Sequence, residues 1–216
     1  MKVELISYSK PPSGEQSLQD LVAFCARVSN PTNQNNTVTN ERLIKYLINN
    51  QHWSPLEMVN ICLEIETTRD IARQILRHRS FSFQEFSQRY AIADLGFVFR
   101  EARLQDSKNR QNSIEVDDEH LQNEWNDIQD GVSAMSEQAY KWAIEHGIAK
   151  EQARAVLPEG MTMSRLYMNG SLRSWVHYIQ LRSGNGTQKE HREVAIACAN
   201  AIETIFPMIK DLVTNI

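Results

Sequence analysis

The stretch RHRSFSFQEFSQRY, residues 77–90, places three arginines, a histidine, a glutamate and four hydroxyl side chains within fourteen residues, interleaved with three phenylalanines. Arginine offers a planar fork of donors that matches phosphate or carboxylate, which a lysine does not. Arg77, Arg79, Ser87, Gln88 and Arg89 therefore read as an anion site, with Glu85 available to accept from a base or a ribose. Cations compensating a helix C-terminus would account for one or two of the arginines. They would not account for Ser87-x-Arg89. The chain has no G-x-G-x-x-G after a strand, no G-x-x-x-x-G-K-[ST], no G-x-S-x-G and no H-E-x-x-H. A bound phosphate would be held by arginines and hydroxyls, without a glycine cradle.

Three further segments carry similar side chains. In HWSPLEM, His52 and Glu57 flank Ser54-Pro55; taken alone this is a turn entering a strand. In EQARAVLP, Arg154 taken alone is a surface cation lying along apolar neighbours. In LRSWVHYIQLR, Arg173 and His177 stand at i, i+4 with Arg182 at the helix end. They line a cleft or form the wet side of an amphipathic helix. Cysteine does not offer a nucleophile: Cys62 falls opposite an aliphatic strand face and Cys198 in an apolar helix stripe, neither with a basic neighbour.

The elements that must position these groups follow from periodicity. Residues 2–9 alternate as a strand, and 18–29 carry a helical stripe at Leu18, Leu21, Val22 and Cys25. After a polar loop over 30–40, residues 41–50 form a second helix. Residues 58–68 alternate, with Val59, Ile61, Leu63 and Ile65 on one face and Met58, Asn60, Cys62, Glu64 and Glu66 on the other. Thr67 and Asp70 resemble a capping box for a helix with Ile71, Ala72, Ile75 and Leu76 on its packing side, leaving Gln74, Arg77 and His78 together opposite. Residues 101–117 are polar and aperiodic, an extended surface loop. Residues 118–147 predict one long helix burying Leu121, Trp125, Ile128 and Val132 and ending at Gly147. A short helix stops before Pro158, 161–168 read as a strand, and the next helix packs through Leu172, Trp175, Val176 and Ile179. From about Thr187 a last helix turns Val194, Cys198, Ala201 and Ile205 inward, broken near Pro207. No repeat or linker divides the chain, so residues 1–216 read as a single α+β domain.

Composition narrows the function classes. With 216 residues and 41% hydrophobic content the chain can bury a proper core. Its net charge of −4 argues against a nucleic-acid surface. The start of the chain is too charged for a signal peptide and no stretch has the length of a membrane span, so a cytoplasmic protein without membrane partners is expected. Three distant cysteines without a C-x-x-C pair indicate reduced thiols. The histidines with close carboxylate neighbours, in DDEH and KEHRE, sit in very polar surroundings, and no metal site is expected.

Taken together and in this order, the four segments resemble the flavin-dependent thymidylate synthases. The signature R-H-R-x-x-S followed by S-x-R is matched by Arg77-His78-Arg79-Ser80-Phe81-Ser82 and Ser87-Gln88-Arg89, and the likeness spans most of residues 20–205. The resemblance implies methylation of dUMP to dTMP, with methylenetetrahydrofolate as carbon donor, FAD as hydride carrier and NADPH as electron source. It also implies a central antiparallel sheet flanked by helices, assembled as a homotetramer with shared active sites. Carried over by position, Ser54, Glu57, Arg77, His78, Arg79, Asn169, Arg173 and His177 would contact FAD. Gln74, Glu85, Ser87, Gln88, Arg89 and Arg154 would bind dUMP, with Arg182 against the uracil as the catalytic group, and His52 and Tyr90 would border the folate or the flavin edge. A reduced flavin supplies the hard step, so the protein has to bind, orient and polarise. The rival reading is a nucleotide or RNA binding module that stacks bases on Phe81, Phe83 and Phe86.

Overall fold

The structure, a computed structural model, describes residues 1–12, 14 and 16–212. In chain order its elements are β1 (Lys2–Tyr8), α1 (Leu18–Ala26), α2 (Asn40–Asn49), β2 (Asn60–Thr68), α3 (Arg69–Ile75), β3 (Ser82–Glu85), β4 (Arg103–Gln105) and β5 (Ser113–Glu115). They continue with α4 (Glu119–Glu145), α5 (Lys150–Ala153), β6 (Met163–Ser171), α6 (Leu172–Arg182), α7 (Lys189–Glu203) and α8 (Ile209–Leu212).

Strand alternation builds the centre as expected. A four-stranded sheet, ordered β1-β2-β6-β3, pairs antiparallel throughout. On β2, Ile61, Leu63 and Ile65 are fully buried, while Cys62, Glu64 and Glu66 are only half-buried on the other face. The buried row meets Leu166 and Met168 of β6, Trp175, Val176 and Ile179 of α6, and Val194, Cys198 and Ile202 of α7 in one core. Burying such side chains stabilises the fold by roughly 1.5–3 kcal/mol each before entropy is counted. On the polar face, Arg165 lies across the strands to Glu66 at 2.6 Å. Among the described residues no helix is long and apolar enough to cross a membrane.

Several local expectations are corrected. The helix after β2 is not boxed by Thr67, which lies in the strand; its N-cap is Thr68, whose hydroxyl makes no cap bond and instead reaches Asp70 Oδ1 at 2.5 Å. Residues 101–117 contain the hairpin β4–β5, closed by Asp106, whose carboxylate accepts from the amides of Lys108 at 2.8 Å and Asn109 at 3.1 Å and from the Asn112 side chain at 3.0 Å. Strands of three residues with mostly exposed side chains leave no hydrophobic period to read.

The long helix α4 forms and stops at Gly147, which takes φ 75°. Its orientation is the reverse of the one its apolar spacing suggests. Trp125, Ile128 and Val132 are 38%, 58% and 43% exposed. The inward face is held by glutamine amides. Gln129 Oε1 accepts from Arg100 N at 2.7 Å while its Nε2 donates to Arg100 O at 2.9 Å, and Gln122 pairs in the same two-way manner with Ala102. Backbone that would otherwise be unsatisfied is paired by an i, i+7 row of amides. Tyr140 and Ala143 then close a small apolar cluster with Ala153 of α5.

Candidate active site

The RHRS turn follows directly from α3, which ends at Ile75, so Arg77 and His78 lie past the helix. The chain then enters β3, a strand that the polar sequence of this stretch conceals and that pairs Ser82 with Asn169 and Glu85 with Leu166 of β6. Phe81 between them is buried against the rings of Trp175 at 4.8 Å and Tyr178 at 5.9 Å. It also lies over Gly170, where a Cβ would collide with the ring. The phenylalanine therefore anchors the turn to α6 and is no platform for a base; Phe83 and Phe86 are half-buried as well. The base-stacking module loses the first of its three platforms.

At the N-terminal end of α6, a cleft of about 390 Å³ is lined by Glu57, Ser80, Ser82, Asn169, Ser171 and Arg173 among others. Glu57 comes from a 3-10 turn over Ser54–Met58 that Pro55 opens, and it accepts from Arg173 NH1 at 2.7 Å. Its carboxyl is held below the usual range by the Ser171 hydroxyl and then by the Arg173 guanidinium, against the opposing effect of burial. Ser171 also caps α6 by accepting from Ser174 N, and Ser174 donates to the Ser80 carbonyl at 3.2 Å. Arg173 Nε is buried without a hydrogen-bond partner. His177, one turn on, packs edge-on to Trp53 at 4.4 Å, and burial followed by the Arg173 charge lowers its pKa. Arg77 and Arg79 are exposed, and among the described residues neither guanidinium has an ion pair or hydrogen bond.

At the other end of α6, Arg182 Nε donates to His78 Nε2 at 2.9 Å. An imidazole nitrogen can accept only when it carries no proton. Burial, Arg182 and Arg77 press the same way, lowering His78 to about 4. Behind this pair runs a buried network that sequence reasoning missed. Tyr178 Oη meets His191 Nε2 at 3.1 Å, His191 Nδ1 meets Gln74 Oε1 at 3.2 Å, and Gln74 Nε2 donates to Gln188 Oε1 at 2.8 Å. Because Gln74 Oε1 only accepts, His191 carries its proton on Nδ1 and Tyr178 must be the donor to Nε2. His191 is fully buried and is lowered to about 3 by burial, with Arg182 and His78 adding to it. The KEHRE segment is therefore not uniformly solvated. The spacing His191, Val194, Ala195, Cys198, at i, i+3, i+4 and i+7, was the signal that placed this histidine inward.

The third group sits at the far end of β3. Glu85 accepts from Ser164 at 3.1 Å and from Arg73 at 3.2 Å, with Arg69 at 3.9 Å. Arg69 and Arg73, one turn apart on α3, went unread because a helix-borne cation is ordinarily solvated. Arg89 pairs with Glu151 at 3.2 Å, and Arg154 Nε donates to the Glu151 carbonyl at 3.3 Å, so both cations gather at α5. Gln88 is buried, and the Ser87 hydroxyl accepts from Arg89 N at 3.4 Å. The helix α6 links the first group to the second, and β3 links the first to the third. His52, Ser54 and Tyr90 stand apart: His52 touches Tyr46 with ring centroids at 6.1 Å, Ser54 is exposed on its turn, and Tyr90 is 78% exposed.

Comparison with known proteins identifies the family. Residues 4–208 match the family model Thy1, described as thymidylate synthase complementing protein. The chain is 48% identical over 210 residues to a probable flavin-dependent thymidylate synthase of Paramecium bursaria Chlorella virus 1, covering 97% of each chain. It is 49% identical over 213 residues to the flavin-dependent thymidylate synthase of a Synechocystis species, again covering 97% of each. The UMP/dUMP methylase PolB from Streptomyces cacaoi, solved with 5-Br dUMP, superposes with a TM-score of 0.83 at 26% identity, over 98% of this chain and 93% of that one. A family match over residues 4–208 and near-half identity to these relatives along 97% of the chain place the protein in the family of flavin-dependent thymidylate synthases.

Proposed function

We propose that this chain methylates dUMP to dTMP, using FAD as hydride carrier, methylenetetrahydrofolate as carbon donor and NADPH as electron source. The observation that carries the reading is the state of Arg182: half-buried, hydrogen-bonded to a neutral imidazole, and without a carboxylate partner among the described residues. A cation kept free of a counter-ion is available to an anion that develops during reaction. Placed against the uracil, Arg182 stabilises charge as the ring becomes nucleophilic, with no covalent activation required. Gln74, held by His191 and Gln188, presents a fixed amide to the base, and Glu85, Ser87, Gln88, Arg89 and Arg154 supply the remaining acceptors and donors for the nucleotide.

The flavin fits the first group. A buried Arg173 Nε lacking a partner, together with unpaired Arg77 and Arg79, matches what a pyrophosphate accepts from. Glu57, Asn169 and His177 complete that group, and His78 from the Arg182 end of α6 and Ser54 from its exposed turn would reach the cofactor from outside it. When bound, FAD supplies the hydride chemistry that no side chain of this protein provides.

The thiols are poorly suited to the alternative, a cysteine nucleophile. Burial pushes the Cys198 thiol far above its ordinary value, and it raises Cys62 as well. The double variant Cys62→Ser/Cys198→Ser is expected to keep dTMP formation within a few-fold of wild type; a correctly folded variant that makes no dTMP would revive a thiol mechanism. The homotetramer is supported by the outward apolar row of α4, where Met135 and Trp142, 73% and 55% exposed, extend the line of Ile128 and Val132. Burying such a row between copies is favourable, and light scattering should give a mass of about four chains. A fully active monomer would overturn sites shared between subunits.

The test of the function itself is optical. Purified protein should carry or take up FAD, and anaerobic NADPH should bleach it at a rate that responds to dUMP. Protein that neither retains nor takes up flavin would end the enzyme reading.

A further inference from the structure

Just beyond Arg182, loop 183–188, the β4–β5 hairpin, and the starts of α4 and α7 enclose a cleft of about 910 Å³, a volume typical of a ligand site. None of the residues assigned above to FAD or dUMP lines it. Its lining carries five cationic side chains against two acidic ones, in a chain whose net charge is −4. Both acids, Glu101 and Glu115, are taken by Lys189, at 2.7 Å each. Arg100 is tied to Asp70 at 3.0 Å, and Arg103 is tied to Glu190, so these two form a fixed floor. Arg110 and Arg192 remain. Among the described residues neither guanidinium has a hydrogen bond or ion pair, and Arg192 is half-buried. A solvated basic loop explains exposed Arg110; the half-buried Arg192 acts on Glu115 only at longer range than an ion pair, and that carboxylate is already engaged by Lys189. The exposed side of Trp125 and Leu104 adds an apolar wall to the same cleft.

We propose that this cleft is a second anion site, which takes the oligoanionic tail of a co-substrate whose ring is delivered to Arg182. The inference rests on the function proposed above, which needs two co-substrates besides dUMP. The cleft is connected to the reacting end: Gln188 lines it and accepts from Gln74, and the loop that walls it begins at the residue after Arg182. An occupant is recognised by several negative charges on a planar heteroaromatic. Phosphates and carboxylates both answer that description, since an arginine fork accepts either.

The experiment is calorimetric titration of FAD-loaded, dUMP-saturated protein with inorganic tripolyphosphate and, separately, with a glutamate pentapeptide. Saturating the first two sites leaves the new one to be read. At least one probe is expected to bind in a salt-dependent manner, and Arg110→Gln/Arg192→Gln to weaken it about ten- to a hundred-fold, with flavin absorbance and dUMP affinity unchanged. Tighter tripolyphosphate binding identifies the occupant as a phosphate ester, and tighter pentapeptide binding as a polycarboxylate. If wild-type protein binds neither probe, or the variant binds them equally well, the site does not exist. Should the double variant misfold, each single variant carries the same test. A failure of the proposed function shows separately, as protein that does not load with FAD or dUMP.

Discussion

Arg182→Ala should lower dTMP turnover by about 10²–10³-fold, the size associated with removing one preorganised donor from a developing anion. Bound flavin should persist, because the Glu57–Arg173 cleft lies at the opposite end of α6, about 14 Å away at 1.5 Å per residue, and of the residues assigned to the flavin His78 is the one hydrogen-bonded to Arg182. The variant also removes one of the charges that depress His78, so that imidazole should titrate closer to its ordinary value, visible by NMR. Arg182→Lys keeps the charge and loses the fork that reaches His78 Nε2; partial rescue is expected. Turnover at the wild-type rate in Arg182→Ala, with normal flavin content, would remove Arg182 from the chemistry.

Acid should destabilise the protein through the same region. His78 and His191 titrate near 6.5 in the unfolded chain and at about 4 and about 3 in the folded one. As pH falls below about 6.5 the unfolded state takes up protons that the folded state refuses, so stability drops until the folded pKa values are reached. Above about 6.5 neither histidine contributes any slope. For the fully buried His191 the loss by about pH 4.5 is roughly 2–3 kcal/mol, or about 5–10 °C in Tm for a domain of this size. The half-exposed His78 adds less. Because carboxylates also titrate in acid, the control is His191→Gln, whose Tm should fall less steeply between about pH 6.5 and 4.5. An identical slope in the variant would mean that His191 is not buried neutral.

How far residue order alone reaches is visible in particular elements. The alternation of Ile61, Leu63 and Ile65 was legible because one face of a strand meets the core and the other does not. The row Leu172, Trp175, Val176 and Ile179 was legible for the equivalent helical reason. On α4 the same rule pointed to Trp125, Ile128 and Val132, and the helix turns them outward. Its partner is the backbone of 100–102, which needs hydrogen bonds, and glutamine amides satisfy that need better than a leucine would. The strand β3 was hidden because its pairing with β6 is long-range and its side chains are mostly polar. Glu85 illustrates the same divide: its carboxylate was visible, but Ser164, 79 residues away, was not.

By itself the sequence determined the chemistry on offer: an arginine-rich anion site without a glycine loop, thiols without activation, an alternating central strand and a signature shared with flavin-dependent thymidylate synthases. These are properties of residue type and short spacing. Only the tertiary structure decided which charges are free. Arg73, Arg89 and Arg173 find carboxylates, Arg173 with its Nε left over, whereas Arg182 finds a neutral imidazole. Whether a cation is neutralised depends on groups brought together from distant parts of the chain and on how much water remains around them, and neither is written in local order.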